Sequence, residues 1–145
     1  MAFTAVERGG KLRFAPILSH GTENFAPLVG RWVARDVIIW TDELPADLAI
    51  GRQLGGHILV NHGKGEFARD DERFGLRAHC NTAESAHSLF KRAIIGVFHR
   101  ISGKHMGRYL NEIAFRWNHR GAFAGRLGVL FANTARPLPL QALFA

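Results

Sequence analysis

With 145 residues, 47% of them hydrophobic, the chain has the size of one domain and enough apolar residues to bury a core. A single cysteine, Cys80, excludes an internal disulfide and a cysteine-rich zinc site, and no apolar run approaches the ~18 residues of a membrane span. The formal net charge of +7 is localised, because residues 91–126 hold eight Lys or Arg against one acid, Glu112, and the remainder is neutral. A basic segment on a neutral domain attracts polyanions, nucleic acid above all, although a merely solvated basic face has the same composition. The N-terminus lacks the charged start and apolar centre of a secretory signal, so a cytoplasmic protein is expected.

Residues 2–7 and 11–17 are short apolar runs separated by Arg8-Gly9-Gly10. Gly-Gly suits the positive φ angles of a tight turn, which predicts a β-hairpin. Thr22 is a candidate cap for a helix over residues 23–34, whose stripe is Phe25, Leu28, Val29, Trp32 and Val33, with Pro27 in its first turn. Val37-Ile38-Ile39-Trp40 is a continuous β-branched and aromatic run, the pattern of a strand covered on both faces. Asp42 follows it at the strand's carboxyl end, where ligands bind in open α/β sheets, although a surface acid or helix cap reads the same way. A short helix over residues 46–54, then Gly55-Gly56 and a second buried strand over residues 57–60, come next. Residues 61–81, with Gly63, Gly65, Gly75 and the acids Asp70-Asp71-Glu72, read as a functional or mobile loop.

The stretch 81–100, NTAESAHSLFKRAIIGVFHR, has the strongest pattern in the chain. On a helical wheel Asn81, Glu84, His87, Ser88, Lys91 and Arg92 share one arc, and Ala83, Ala86, Leu89, Phe90, Ala93, Ile94 and Val97 fill the opposite one. Glu84 and Lys91 are two turns apart, roughly 10 Å along the axis, a separation suited to holding successive parts of one extended ligand. Gly96 and Ser102-Gly103 mark a break. A second helix over residues 104–119 buries Met106, Leu110, Ile113 and Trp117 and places Lys104, Arg108, Glu112, Arg116 and Arg120 on another face. Leu127, Val129, Leu130 and Phe131 suggest a short final helix before Pro137 and Pro139 and an extended end. The order of elements predicts a mixed α/β domain with helices packed on a sheet.

Asp42 and Glu84 are candidate Mg²⁺ ligands, because the ion is hard, takes carboxylate oxygens and shares its shell with water and phosphate. Two-metal phosphodiester chemistry generally requires a third carboxylate, and none stands out in the sequence. The eight histidines are scattered without zinc-site spacing, and the adjacent His79-Cys80 cannot easily hold one tetrahedral ion together. His99 and His105 flank the break as candidate phosphate or solvent contacts.

Four segments together resemble the ISXO2-like insertion-sequence transposases. They are Val60-Asn61-His62-Gly63-Lys64-Gly65-Glu66-Phe67, His79-Cys80-Asn81-Thr82-Ala83-Glu84-Ser85, Lys91-Arg92-Ala93-Ile94-Ile95-Gly96-Val97-Phe98-His99 and Arg108-Tyr109-Leu110-Asn111-Glu112-Ile113-Ala114-Phe115-Arg116-Trp117-Asn118. The likeness extends from Val6-Glu7-Arg8-Gly9-Gly10 to Arg136-Pro137-Leu138. It implies an RNase H-like mixed sheet with flanking helices and a DDE-type core that cuts and joins transposon ends with two Mg²⁺ ions. Asp42 matches the second catalytic acid of that family. Asn81 and Glu84 both lie in the motif of the third position, and Lys91 matches the lysine that contacts the transposon end. Arg92, Arg100, Lys104, Arg108 and Arg116 extend the expected DNA-binding surface. The family's first catalytic Asp lies on a strand upstream of the hairpin, and that strand has no counterpart here. The aromatic pair usual after Glu84 is replaced by Ala86-His87. The expectation is a single catalytic-core fragment over residues 1–145, inactive alone, with DNA, a second copy or a full-length transposase as partner and no membrane. The competing expectations are a DNA-binding fragment or inhibitor without catalysis, and an unstable product exposing a sheet edge.

Overall fold

The computed structural model describes residues 1–42, 50–121 and 123–134. β1 (Ala2–Val6) and β2 (Leu12–Pro16) form the expected antiparallel hairpin, with Ala2 opposite Pro16 and Val6 opposite Leu12. The Glu7 N–H donates to Lys11 O at 2.9 Å and the Gly10 N–H to Glu7 O at 3.0 Å. Of the glycine pair only Gly9 has positive φ, at +70°, so the left-handed position falls on one residue.

Side chains alternate across the hairpin and feed two cores. Ala2, Leu12 and Phe14 pack with Ala86, Phe90, Leu110 and Ile113 of the later helices. On the other face, Phe3 and Ile17 pack with Phe25, Val29 and Ile50. Those last residues belong largely to α1 (Thr22–Trp32). Its N-cap is Gly21 and not Thr22, which is already helical. The polar cluster at this end joins Asn24 Nδ2 to Ser19 Oγ at 2.8 Å and Ser19 Oγ to Glu23 Oε1 at 3.1 Å. Pro27 lies in the second turn, not the first, on the exposed side where the carbonyl it leaves unbonded can be hydrated.

β3 (Ile38–Thr41) runs parallel to β4 (Gly56–Leu59), Ile38 opposite Gly56 and Thr41 opposite Leu59. Gly55 is required at the entry to β4, since a Cβ there would run into the Asp36 carbonyl. The expected full cover of β3 is not found: its four residues are all half-buried and Val37 is exposed. Among the described residues its one strand neighbour is β4. Ile58, Val60 and Ala78 form the core beneath this pair. Residues 61–81, read as irregular, contain a third strand pair, β5 (Arg69–Asp71) with β6 (Leu76–Ala78). Its turn is held by Asp71, which accepts from the Arg73 N–H at 3.0 Å and guanidinium at 2.8 Å, and by Gly75 at φ +61°. Arg73 holds the Asp71 carboxyl below the usual carboxylate range. In place of one sheet, the described residues form three separate two-stranded sheets with helices, a mixed α/β arrangement.

α2 (Asn81–Ala93) begins where expected, but the helix does not continue regularly to residue 100. Residues Ile94–Phe98 form a π-helical turn that ends at His99 with φ 55°. A π turn takes more residues than an α turn, so the wheel loses its phase there. Val97, placed in the apolar arc, is 68% exposed, and Leu89 is also exposed. After a 3-10 turn (Gly103–His105), α3 (Met106–Asn118) buries Leu110 and Ile113 and partly buries Met106 and Trp117, as the pattern predicts. α4 (Phe123–Thr134) is the final described helix, and no described helix is long and apolar enough to cross a membrane. Most of the helix expected over residues 46–54, Glu43, and the end with Pro137 and Pro139 lie outside the described residues.

Candidate nucleic-acid interface and acidic corner

α2 is anchored by Ala86 and Phe90, and this burial turns its opposite face outward. Asn81, Glu84, Ser88, Lys91 and Arg92 are all exposed. Glu84 in the first turn and Lys91 with Arg92 in the last also complement the helix dipole. His87 departs from the predicted polar arc. It leans on the hairpin, with Nδ1 3.2 Å from Thr4 Oγ1 and its ring edge-on to Phe90. Burial, reinforced by Lys91 and His20, pushes its pKa below the ordinary histidine value.

The cations continue through the break onto α3. Arg100 and Lys104 are exposed around it, and Lys104, Arg108, Glu112 and Arg116 recur every four residues as one exposed stripe. Arg116 Nε donates to Glu112 Oε1 at 2.7 Å, so this cation is paired on its own helix. Both side chains are largely in solvent, where such a pair is worth little and can yield to a phosphate. Arg120 is turned back over the Trp117 ring and donates to Trp117 O at 2.9 Å. His99 is exposed at the end of the π turn and His105 is half-buried at the start of α3.

Asp42 is exposed directly after β3, at the carboxyl end of the parallel pair. Thr41 Oγ1 donates to Asp42 O at 3.1 Å and shares a 2.7 Å hydrogen bond with His57 Nε2. Burial pushes the His57 pKa down, which favours the neutral ring in this contact. Sequence reasoning missed the Thr41 and His57 contact. Strand register produces it, since Ile39 pairs with His57 one strand over and Thr41 lies two residues further along, and no pattern in the sequence gives that register. Thr41, Cys80 and Thr82 line the same cavity, so the end of β3 and the start of α2 open on common space. Among the described residues, however, no three His, Cys, Asp or Glu side chains gather to hold a metal ion.

The family model for the ISXO2-like transposase domain matches residues 1–118. No curated protein and no solved structure matches the chain. Transposases with DDE cores act on DNA and generally use divalent metal ions. The match covers most of the chain, including both helices that carry the basic stripe, and this chain belongs to the ISXO2-like transposase family.

Proposed function

We propose that this chain binds insertion-sequence DNA ends through the exposed cations of α2, the helix break and α3. The observation that carries the reading is the exposure of Lys91, Arg92, Arg100, Lys104 and Arg108 on α2, the break and α3 inside the family match. Phosphate contacts by Lys and Arg supply affinity and position, and a helix pair joined by a short break can follow a strand backbone. Arg116 joins them when DNA displaces its exposed pairing with Glu112.

The second part of the reading concerns catalysis in an RNase H-like core. Asp42, with Asn81 or Glu84, forms one corner of the DDE site, supported by the shared cavity between the end of β3 and the start of α2. The described residues do not build a complete Mg²⁺ site, so no cleavage step is assigned to them and the chain alone is proposed to be inactive. It acts with a second copy or with a full-length transposase, which it assists or inhibits.

DNA binding and strand transfer on labelled transposon-end DNA separate these parts. Lys91→Ala with Arg108→Ala is expected to weaken binding, while Asp42→Ala and Glu84→Ala leave it intact. Strand transfer by the chain alone in Mg²⁺ or Mn²⁺, abolished by Asp42→Ala, would refute the proposed inactivity. An absence of DNA binding at low salt would refute the whole reading.

A further inference from the structure

The π turn between α2 and α3 holds two large apolar side chains out in water. Ile95 is 75% exposed and Val97 68%. Continued as a regular helix, α2 would carry Val97 on the arc of Phe90 and Ala93, and the wider π turn rotates it outward. Gly96 stands between them, and a Cβ there would meet nothing within 4 Å, so this tip projects clear of its surroundings. The mount beneath it is fixed. Ile94 and Ile101 pack against the core that joins the hairpin to the helices, and the Phe98 ring lies 4.5 Å from that of Tyr109 on α3. The turn closes at His99 with φ 55°, a setting uncommon in a residue with a side chain.

Cations flank this tip in the chain. Ile95 follows Lys91 by four residues and Val97 follows Arg92 by five, about one turn each where the helix widens. The tip therefore continues the face that bears these two cations. Arg100 and Lys104, both exposed, come after it, and no acid occurs between Glu84 and Glu112. A second copy docked symmetrically here would set like charges against one another. The apolar area of two side chains is also far below the ~800 Å² per partner of a stable protein interface. A polyanion with an apolar interior suits both features.

We propose that Ile95 and Val97 form an apolar wedge that enters DNA at a base step, while Lys91, Arg92, Arg100 and Lys104 hold the phosphates around it. Apolar residues inserted between base pairs unstack the step and bend the duplex, and the cost falls where pairing is already broken. β-Branched side chains are stiff, so insertion orders them little, and it removes them from water. The DNA this tip selects is distorted or easily opened duplex, chosen by deformability and not by base identity.

The wedge rests on the DNA-binding reading, and the test separates the two. Binding of the full chain is measured on two labelled duplexes of one sequence, fully paired or with a central T·T mismatch beside 2-aminopurine. The mismatched duplex is expected to bind about tenfold more tightly, with a rise in 2-aminopurine fluorescence as the step unstacks. Ile95→Ser with Val97→Ser is expected to bring the ratio to about one and abolish the rise, with the salt slope on paired DNA kept because no cation is removed. Ile95→Leu with Val97→Leu, still apolar, is expected to keep both signals. Salt-dependent binding with no preference for the mismatch overturns the wedge and leaves the basic surface standing; no binding to either duplex overturns both. A preference that survives the serine pair, or is lost in the leucine pair, also overturns the wedge. Self-association of the chain without DNA, seen by sedimentation and lost in the serine pair, overturns it in favour of a second copy.

Discussion

Asn118 shows how much one side chain can fix. Its Oδ1 accepts from Leu12 N–H at 2.7 Å and its Nδ2 donates to Leu12 O at 2.9 Å, tying the end of α3 to the outer edge of β2. Leu12 is 1% exposed, so removing the clamp strands both backbone groups away from water. Asn118→Ala is expected to lower unfolding stability by about 2 kcal/mol, read as a lower urea midpoint at unchanged slope. The two half-buried histidines add a pH dependence. Burial is the leading cause that depresses the pKa of both His57 and His87, so the unfolded chain binds protons more readily than the folded one. Their contribution is complete above the ordinary histidine pKa and is lost as pH falls from there through the lowered folded values. Urea midpoints are expected to fall as the pH drops below about 6.5. His87→Gln is expected to make that decline shallower; an unchanged slope would show that His87 is not the responsive group.

At the scale of elements, the decisive one is α2 with its π turn. Ala86 and Phe90 bind it to the hairpin, and that packing presents Lys91 and Arg92 to solvent. Phe90, 6% exposed and tilted against Phe14, is expected to cost about 3–5 kcal/mol when replaced by Ala. Val97→Ser gives the contrasting expectation. In a regular helix Val97 would share the apolar face and the change would be costly; in the π turn it is 68% exposed, and stability should move by less than about 0.5 kcal/mol. A loss near that of a buried valine would restore the regular helix. The sequence marked this region through Gly96, but a period of 3.6 cannot anticipate a change of helix type.

For the whole molecule, charge and core are divided between faces and not between segments. The net charge of +7 lies in residues 91–126, and the same segment supplies Leu110 and Ile113 to the core under the hairpin. Five exposed cations that reach phosphates would give a log–log salt slope of about −4 to −5, and Lys91→Ala with Arg108→Ala should make it shallower by roughly two. The sequence by itself determined the hairpin, α1, the strand at β3 and the amphipathic faces of α2 and α3, because hydrophobic period and turn glycines are local quantities. It also determined the family, through motifs spread across most of the chain. Only the tertiary structure decided which strands pair. The sequence expected one sheet, and the described strands form three pairs because pairing depends on which edges meet, not on any residue's own preference. Asn118 on Leu12 and Thr41 on His57 belong to the same class. Each joins residues distant in sequence, and such a contact writes no period into the chain.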